Sequence, residues 1–175
     1  MAVRPIIIAP DPRLKIKCKP VQVVDDKIAE LMADLLETMY WAPGIGLAAP
    51  QIGAAIRVIV VDTARKEEDP KPLKMANPEL VYASEELWSY EEGCLSLPEH
   101  YAEVQRPARV RVKYIDETNT AREIEAEELV ATCILHEMDH LDGTLFVDHI
   151  STLKRNMILR KLVKTKKLKQ QDAAA

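Results

Sequence analysis

Apolar residues recur at helical spacing at Ile28, Leu31, Met32, Leu35, Leu36 and Met39. With Asp25 and Asp26 placed to receive the first free backbone N–H groups, the spacing predicts an amphipathic helix over roughly 26–40 that Trp41-Ala42-Pro43-Gly44 brings to an end. Strands are predicted from β-branched or alternating runs at 57–62, 80–90, 102–104, 109–115 and 120–126, with a polar loop over 65–72. The last two runs alternate in type and flank Asp116-Glu117-Thr118-Asn119, which reads as a hairpin. A second helix is predicted over 127–142, with acidic residues in its first turn and Gly143 to close it. Ser151 can cap a third, carrying Leu153, Met157, Ile158, Leu162 and Val163 among basic residues, before 170–175 frays. Strands followed by an inward-facing helix give an α+β class: antiparallel or mixed strands packed around one central helix, with an amphipathic helix at the C-terminal end.

Composition narrows this further. The 175 residues, 47% hydrophobic and 30% charged, fit one domain over 1–169 and a short tail over 170–175. The net charge of −4 argues against general nucleic-acid binding, and no specific DNA contact is expected. Lys154, Arg155, Arg160, Lys161, Lys164, Lys166, Lys167 and Lys169 nevertheless form a basic stretch with no acidic residue among them. No apolar run reaches the length of a membrane span, and Asp11-Pro12 interrupts the apolar start too soon for a signal peptide, so a soluble, unexported protein is expected. Cys18, Cys94 and Cys133, odd in number and widely spaced, do not form a disulfide framework and suit a reducing cytoplasm.

The chemistry lies in the second helix. His136, Glu137 and His140 spell H-E-x-x-H, and residues four apart share a helical face, so both imidazoles can reach one divalent metal with Glu137 beside them as a proton carrier. Leu129 and Cys133 fall on the same face, which turns the histidines inward. A catalytic site of this kind takes three protein ligands and leaves a position for water. The chain has only 5 glycines, and four of them mark two loops, 44–53 and 91–98. Cys94 in the second loop is the natural third ligand, and a thiolate with two imidazoles suits zinc or ferrous iron. Gln51 in the first loop, and a backbone N–H beside Cys94, can donate to an oxyanion.

Three separated segments, Gly44-Ile45-Gly46-Leu47-Ala48-Ala49-Pro50-Gln51, Glu92-Gly93-Cys94-Leu95-Ser96 and Leu135-His136-Glu137-Met138-Asp139-His140, resemble in order the GxGxAAxQ, EGCLS and QHExDH motifs of the peptide deformylase family. The resemblance extends over nearly the whole chain. It implies a cytoplasmic enzyme that removes the formyl group from the N-terminal formyl-methionine of nascent polypeptides and releases formate. It makes Cys94, His136 and His140 the ligands of one divalent metal, ferrous iron in the cell with zinc as the alternative, and Glu137 the general acid and base. On this reading hydroxide generated at the metal attacks the formyl carbon while Gln51 and the Leu95 N–H hold the oxyanion. Ile45, Gly46 and Gly93 present backbone to an extended substrate, and Ile45, Leu129 and Cys133 line the methionine pocket. By itself the basic C-terminal stretch reads as a solvated helix face; the resemblance implies that this helix contacts the ribosome.

Two positions depart from the family pattern. Leu135 stands where Gln is frequent, one helical step away from the ligands, which predicts altered packing and intact chemistry. Where many relatives carry Arg at the pocket mouth, this chain runs Pro98-Glu99-His100-Tyr101. Asp139 lies off the histidine face and is expected to pair with Arg106. His100 and His149 are expected at the surface, and Trp41, Trp88 and Phe146 as core or rim aromatics. Two rival functions are a zinc endopeptidase, whose third ligand would be a downstream Glu or His where this chain offers only Asp148 and His149 without the usual spacing, and a metal-stapled binding module without catalysis.

Overall fold

The computed structural model describes residues 1–174 and is an α+β domain built on antiparallel strands. α1, Asp26–Trp41, starts where the Asp25 side chain accepts from the Ile28 N–H at 3.0 Å. The first glycine loop contains a short edge strand, β1 (Gly46–Ala48), and a 3-10 turn (Ala49–Ile52). β2 (Val58–Val61), β3 (Leu73–Ala83), β6 (Arg109–Ile115) and β7 (Ala121–Glu127) complete a five-stranded sheet in the order β1-β2-β3-β6-β7. β6 and β7 form the hairpin that the alternation predicts.

The run expected as one strand over 80–90 is two. β3 ends at Ala83, and β4 (Leu87–Cys94) pairs with β5 (Leu97–Pro107) in a separate two-stranded sheet. The break falls at Ser84, whose hydroxyl donates to the Glu86 carbonyl and accepts from the Arg109 N–H, a local side-chain bond that competes with the ladder. β3 also begins well before residue 80, through Asn77-Pro78, where turn chemistry hides the strand; Asn77 takes a left-handed φ of 48 and the register shifts there.

Both faces of the large sheet are covered at its β1–β2 end and over the first part of β3. Val58, Val60 and Ala76 meet Met32, Leu35 and Met39 of α1, whereas Ile59, Val61 and Met75 meet Ile134 and Leu141 of α2 (Glu128–Leu141). Adjacent strand residues point to opposite faces, so a run that is apolar at every position is what a sheet buried on both sides requires. Leu135 packs, half-buried, against the α2 side of this core. Gly143 ends α2 with φ 74, and a Cβ there would lie 2.5 Å from the Lys15 carbonyl oxygen.

A third cluster joins Leu14, Leu97, Val104, Phe146, Val147 and Leu162, and holds down α3 (Thr152–Ala174). Only part of the apolar face of α3 docks. Leu162 is buried with Ile158 and Leu159 against it, whereas Leu153 is 73% exposed. The helix continues to Ala174 where fraying from 170 was expected, because Lys, Gln and Ala are good helix formers even without tertiary contacts; Ala175 lies outside the described residues. No helix among the described residues is long and apolar enough to cross a membrane.

Candidate metal centre

α2 carries His136, Glu137 and His140 inward, as the face pattern requires; all three are under 9% exposed. The β4–β5 turn brings Cys94 to them, and the ligand atoms of Cys94, His136 and His140 all lie within 4.8 Å of one another. Nothing in the spacing of residues 94 and 136 specifies this approach; it is made by the hairpin folding over the helix. Asp148 and His149, where an endopeptidase reading would look for a ligand, are outside the cluster. Asp148 accepts from Lys15, Arg155 and the Leu145 N–H instead.

The donor set fits a tetrahedral ion. Bonds of about 2.3 Å to sulfur and about 2.05 Å to nitrogen would hold those two atoms about 3.6 Å apart, and Cys94 Sγ and His140 Nε2 are 3.4 Å apart. His136 donates its Nδ1–H to Glu92 Oε1 at 2.8 Å, which fixes the tautomer and leaves Nε2 for ligation. Burial, and then repulsion from His136, push the His140 imidazole well below its ordinary range, so it is a neutral donor with a free lone pair. Burial also works against a proton on His136, but Cys94, Glu92 and Glu137 outweigh it and raise that imidazole. Surroundings that favour a proton there favour a metal cation in its place.

Glu92 was read from the sequence only as part of a motif. In the fold it is 3% exposed and takes two hydrogen bonds from Arg106, Nε at 2.7 Å and Nη2 at 3.0 Å. Burial alone would raise its carboxyl, yet the bonds from His136 and Arg106 hold it at about 2. Arg106 Nη1 also reaches Asp139 Oδ2 at 2.9 Å, the expected pair, and His149 Nε2 lies 2.8 Å from the same oxygen. His149 therefore closes a polar network that no local sequence signal announces. Phe146 is a core aromatic whose ring stacks on His136, but Trp41 is 72% exposed and belongs to no core.

Gln51 is buried, with Oε1 accepting from the Ala48 N–H and Nε2 donating to Ser96 Oγ at 3.0 Å and approaching Cys94 Sγ at 3.6 Å. Glu137 Oε2 is buried without a hydrogen-bond partner among the described residues. Burial raises this carboxyl to about 7, against a smaller opposing effect of His136. A cleft of about 450 Å³ opens over the cluster, lined by Cys94, His136 and Glu137 and by all five residues expected to bind substrate: Ile45, Gly46, Gly93, Leu129 and Cys133. Leu95 lines it too, whereas Gln51 and His140 sit behind its wall. Gly46 is glycine for want of room: a Cβ would run into the Glu137 carboxylate and come within 2.9 Å of Cys133 Sγ. His100, expected at the surface, is half-buried and lines the cleft.

A cysteine sulfur, two imidazoles and a buried carboxyl group with one unpartnered oxygen, beside an open cleft, define the class of mononuclear metal hydrolases. Comparison with known proteins narrows this. Residues 3–156 match the family described as polypeptide deformylase. A peptide deformylase of Methylocella silvestris is 57% identical over 175 aligned residues, covering 98% of this chain and 89% of the relative's length. Among solved structures, a peptide deformylase from Ehrlichia chaffeensis superposes with a TM-score of 0.92 at 34% identity, covering 97% of this chain and 99% of that one. Another, from Legionella pneumophila, gives 0.88 at 43%, covering 97% and 98%. The chain belongs to the polypeptide deformylase family.

Proposed function

We propose that this chain is a metal-dependent hydrolase that removes the formyl group from the N-terminal formyl-methionine of nascent polypeptides and releases formate. The observation that carries the reading is the Cys94-His136-His140 cluster with unpartnered Glu137 beside it, on a chain of this family. Ferrous iron is the proposed cellular metal and zinc the alternative, since a mixed thiolate and imidazole set accepts both.

A divalent ion held by these three residues would acidify a water toward neutrality and polarise the formyl oxygen. Glu92 keeps the His136 ring in the orientation that turns Nε2 toward the cluster. Glu137, raised to about 7, has the affinity to take the water proton and pass it to the leaving amine. The Gln51 Nε2 amide, next to Cys94, and the Leu95 N–H supply donors for the charge that develops on the formyl oxygen. Among the described residues β1 pairs only with β2, so its other edge is open for an extended substrate to add as a strand, with Gly46 and Gly93 allowing close approach. Ile45, Leu129 and Cys133 receive the methionine side chain.

The same reading sets the protein in the cytoplasm, where formylated chains emerge, with its three cysteines outside any disulfide. The exposed basic face of α3 supports weak, salt-sensitive association with the ribosome. Binding that is unchanged after deletion of 161–175 would refute that association. The central test is formate release from formyl-Met peptides by metal-loaded protein with internal peptide bonds left intact. Internal cleavage without formate would restore the endopeptidase reading, and neither product would point to the binding module.

A further inference from the structure

One buried residue ties down both ends of the turn that leads into β1. Asp62 follows β2 and is 5% exposed. Its backbone N–H donates to the Ile45 carbonyl at 2.9 Å, and its side chain accepts from the Tyr40 hydroxyl. Tyr40 lies in the last turn of α1 and Ile45 immediately precedes β1, so the 42–45 turn is held at each end by the same residue. The Asp62 carboxylate also accepts from the Ala64 N–H at 3.0 Å and the Lys71 N–H at 3.2 Å, which satisfies it inside the fold. Ala64 and Lys71 belong to the same loop as Asp62, whereas Tyr40 ties the carboxylate to α1. Burial, and then the bond to Asp62, push the Tyr40 hydroxyl up to about 12, so it stays a donor at neutral pH. Cys133 holds the Ile45 carbonyl from a second side, its thiol donating at 3.3 Å. That carbonyl is turned toward β2, and successive strand residues turn their N–H and C=O groups to alternate sides, so Gly46 presents both of its groups to the open edge. Ala48 obeys the same alternation: its N–H leaves the ladder for Gln51 Oε1 at 2.8 Å.

We propose that Asp62 is a positioning residue for the reaction: through Tyr40 and Ile45 it fixes the 42–45 turn, and with it the place where Gly46 meets the substrate backbone. The inference rests on the reading of β1 as the edge to which a formylated peptide adds. A peptide can pair with Gly46 while its formyl group lies at Cys94, His136 and His140 only if the edge and those ligands keep a fixed separation. α2 and the β4–β5 turn set the ligands, and the Asp62 clamp sets the edge. An edge already in place needs no ordering when the peptide arrives, so the clamp acts on affinity. The backbone bonds it positions are made to the bound peptide before and during the reaction alike, and weakening them raises KM while sparing kcat.

The test measures kcat and KM of metal-loaded Tyr40→Phe, Asp62→Ala and Asp62→Asn with formyl-Met-Ala-Ser and with formyl-methioninamide, which has no residue beyond methionine to lay along the edge. Tyr40→Phe should raise KM for the peptide by about 10-fold, with kcat within about 2-fold of the parent and KM for the amide within about 3-fold. Asp62→Ala should raise the peptide KM at least as far. Asp62→Asn keeps an oxygen for the Tyr40 hydroxyl and should fall between the parent and Tyr40→Phe. Tyr40→Phe loses only one oxygen from an exposed side chain, so it decides the matter if Asp62→Ala fails to fold. A peptide KM within about 2-fold of the parent in Tyr40→Phe, a loss in kcat instead, or an equal rise in KM for both substrates overturns the proposal. If the parent itself shows the same KM for the amide as for the peptide, the strand-addition reading fails instead, and formate from neither substrate overturns the deformylase reading.

Discussion

Arg106→Met removes the cation that holds the metal centre's outer carboxylates. Arg106 is 6% exposed at its side chain and Glu92 3%, and their two hydrogen bonds of 2.7 and 3.0 Å are the geometry of a planar fork on a carboxylate. Methionine matches the stem but leaves Glu92 charged, buried and bonded only to His136. Breaking a buried pair on one side costs about 3–5 kcal/mol, a large part of the roughly 5–15 kcal/mol typical of a whole domain. Asp139 adds little, because its side chain is 26% exposed and keeps His149 as a partner. The loss should appear in urea unfolding of chelator-stripped protein, which separates pairing energy from metal binding. In metal-loaded protein, a Glu92 no longer held against His136 should weaken metal retention by about 10–100-fold in chelator competition. Arg106→Lys keeps the charge without the fork and should fall between. Adding Glu92→Gln to Arg106→Met removes the stranded charge and should recover part of the stability. If Arg106→Met unfolds within about 1 kcal/mol of the parent and holds its metal equally well, the account of this network is wrong.

Glu137→Gln should keep the metal and lose about 10²–10⁴-fold in kcat on a formyl-Met peptide; near-parental turnover would remove Glu137 as the proton carrier. Asp34 is 1% exposed and accepts from the Ala2 N–H and twice from Arg4. Burial alone would raise its carboxyl, but these bonds outweigh burial and lower it. A lowered carboxyl contributes stability that is present above the ordinary carboxylate range and is lost as pH falls through it. Asp34→Asn should therefore cost about 1.5–3 kcal/mol at neutral pH, and the gap should close in acid; a gap independent of pH, measured by urea unfolding, contradicts the assignment. Gly143→Ala should cost about 1–2 kcal/mol from backbone conformation and more from the clash with the Lys15 carbonyl, measurable as a lower Tm.

Periodicity alone was enough for α1, α2 and the β6–β7 hairpin, because each buries a face whose repeat is written in consecutive residues. The same local reading found His136, Glu137 and His140 together, since one helical turn fixes their geometry. The two glycine-marked loops and their donor chemistry then pointed to Cys94 and Gln51, and the motif order of the family agreed, although the sequence contains no distance between these loops and the helix. Periodicity failed at 80–90, where one β-rich run serves two sheets: pairing partners lie far along the chain and only the fold says which strand each half joins. It also missed the work of Glu92 and His149. A carboxylate bonded to a metal-facing imidazole and an exposed imidazole bonded to Asp139 are ordinary polar residues until tertiary packing brings their partners to 2.8 Å and, for Glu92, buries the group. What the sequence determined by itself was the set of elements and the donor types, which depend on neighbours in the chain. What only the tertiary structure decided was which donors converge, how they are held and what lines the mouth of the cleft, because those depend on contacts between segments that burial, not spacing, brings together.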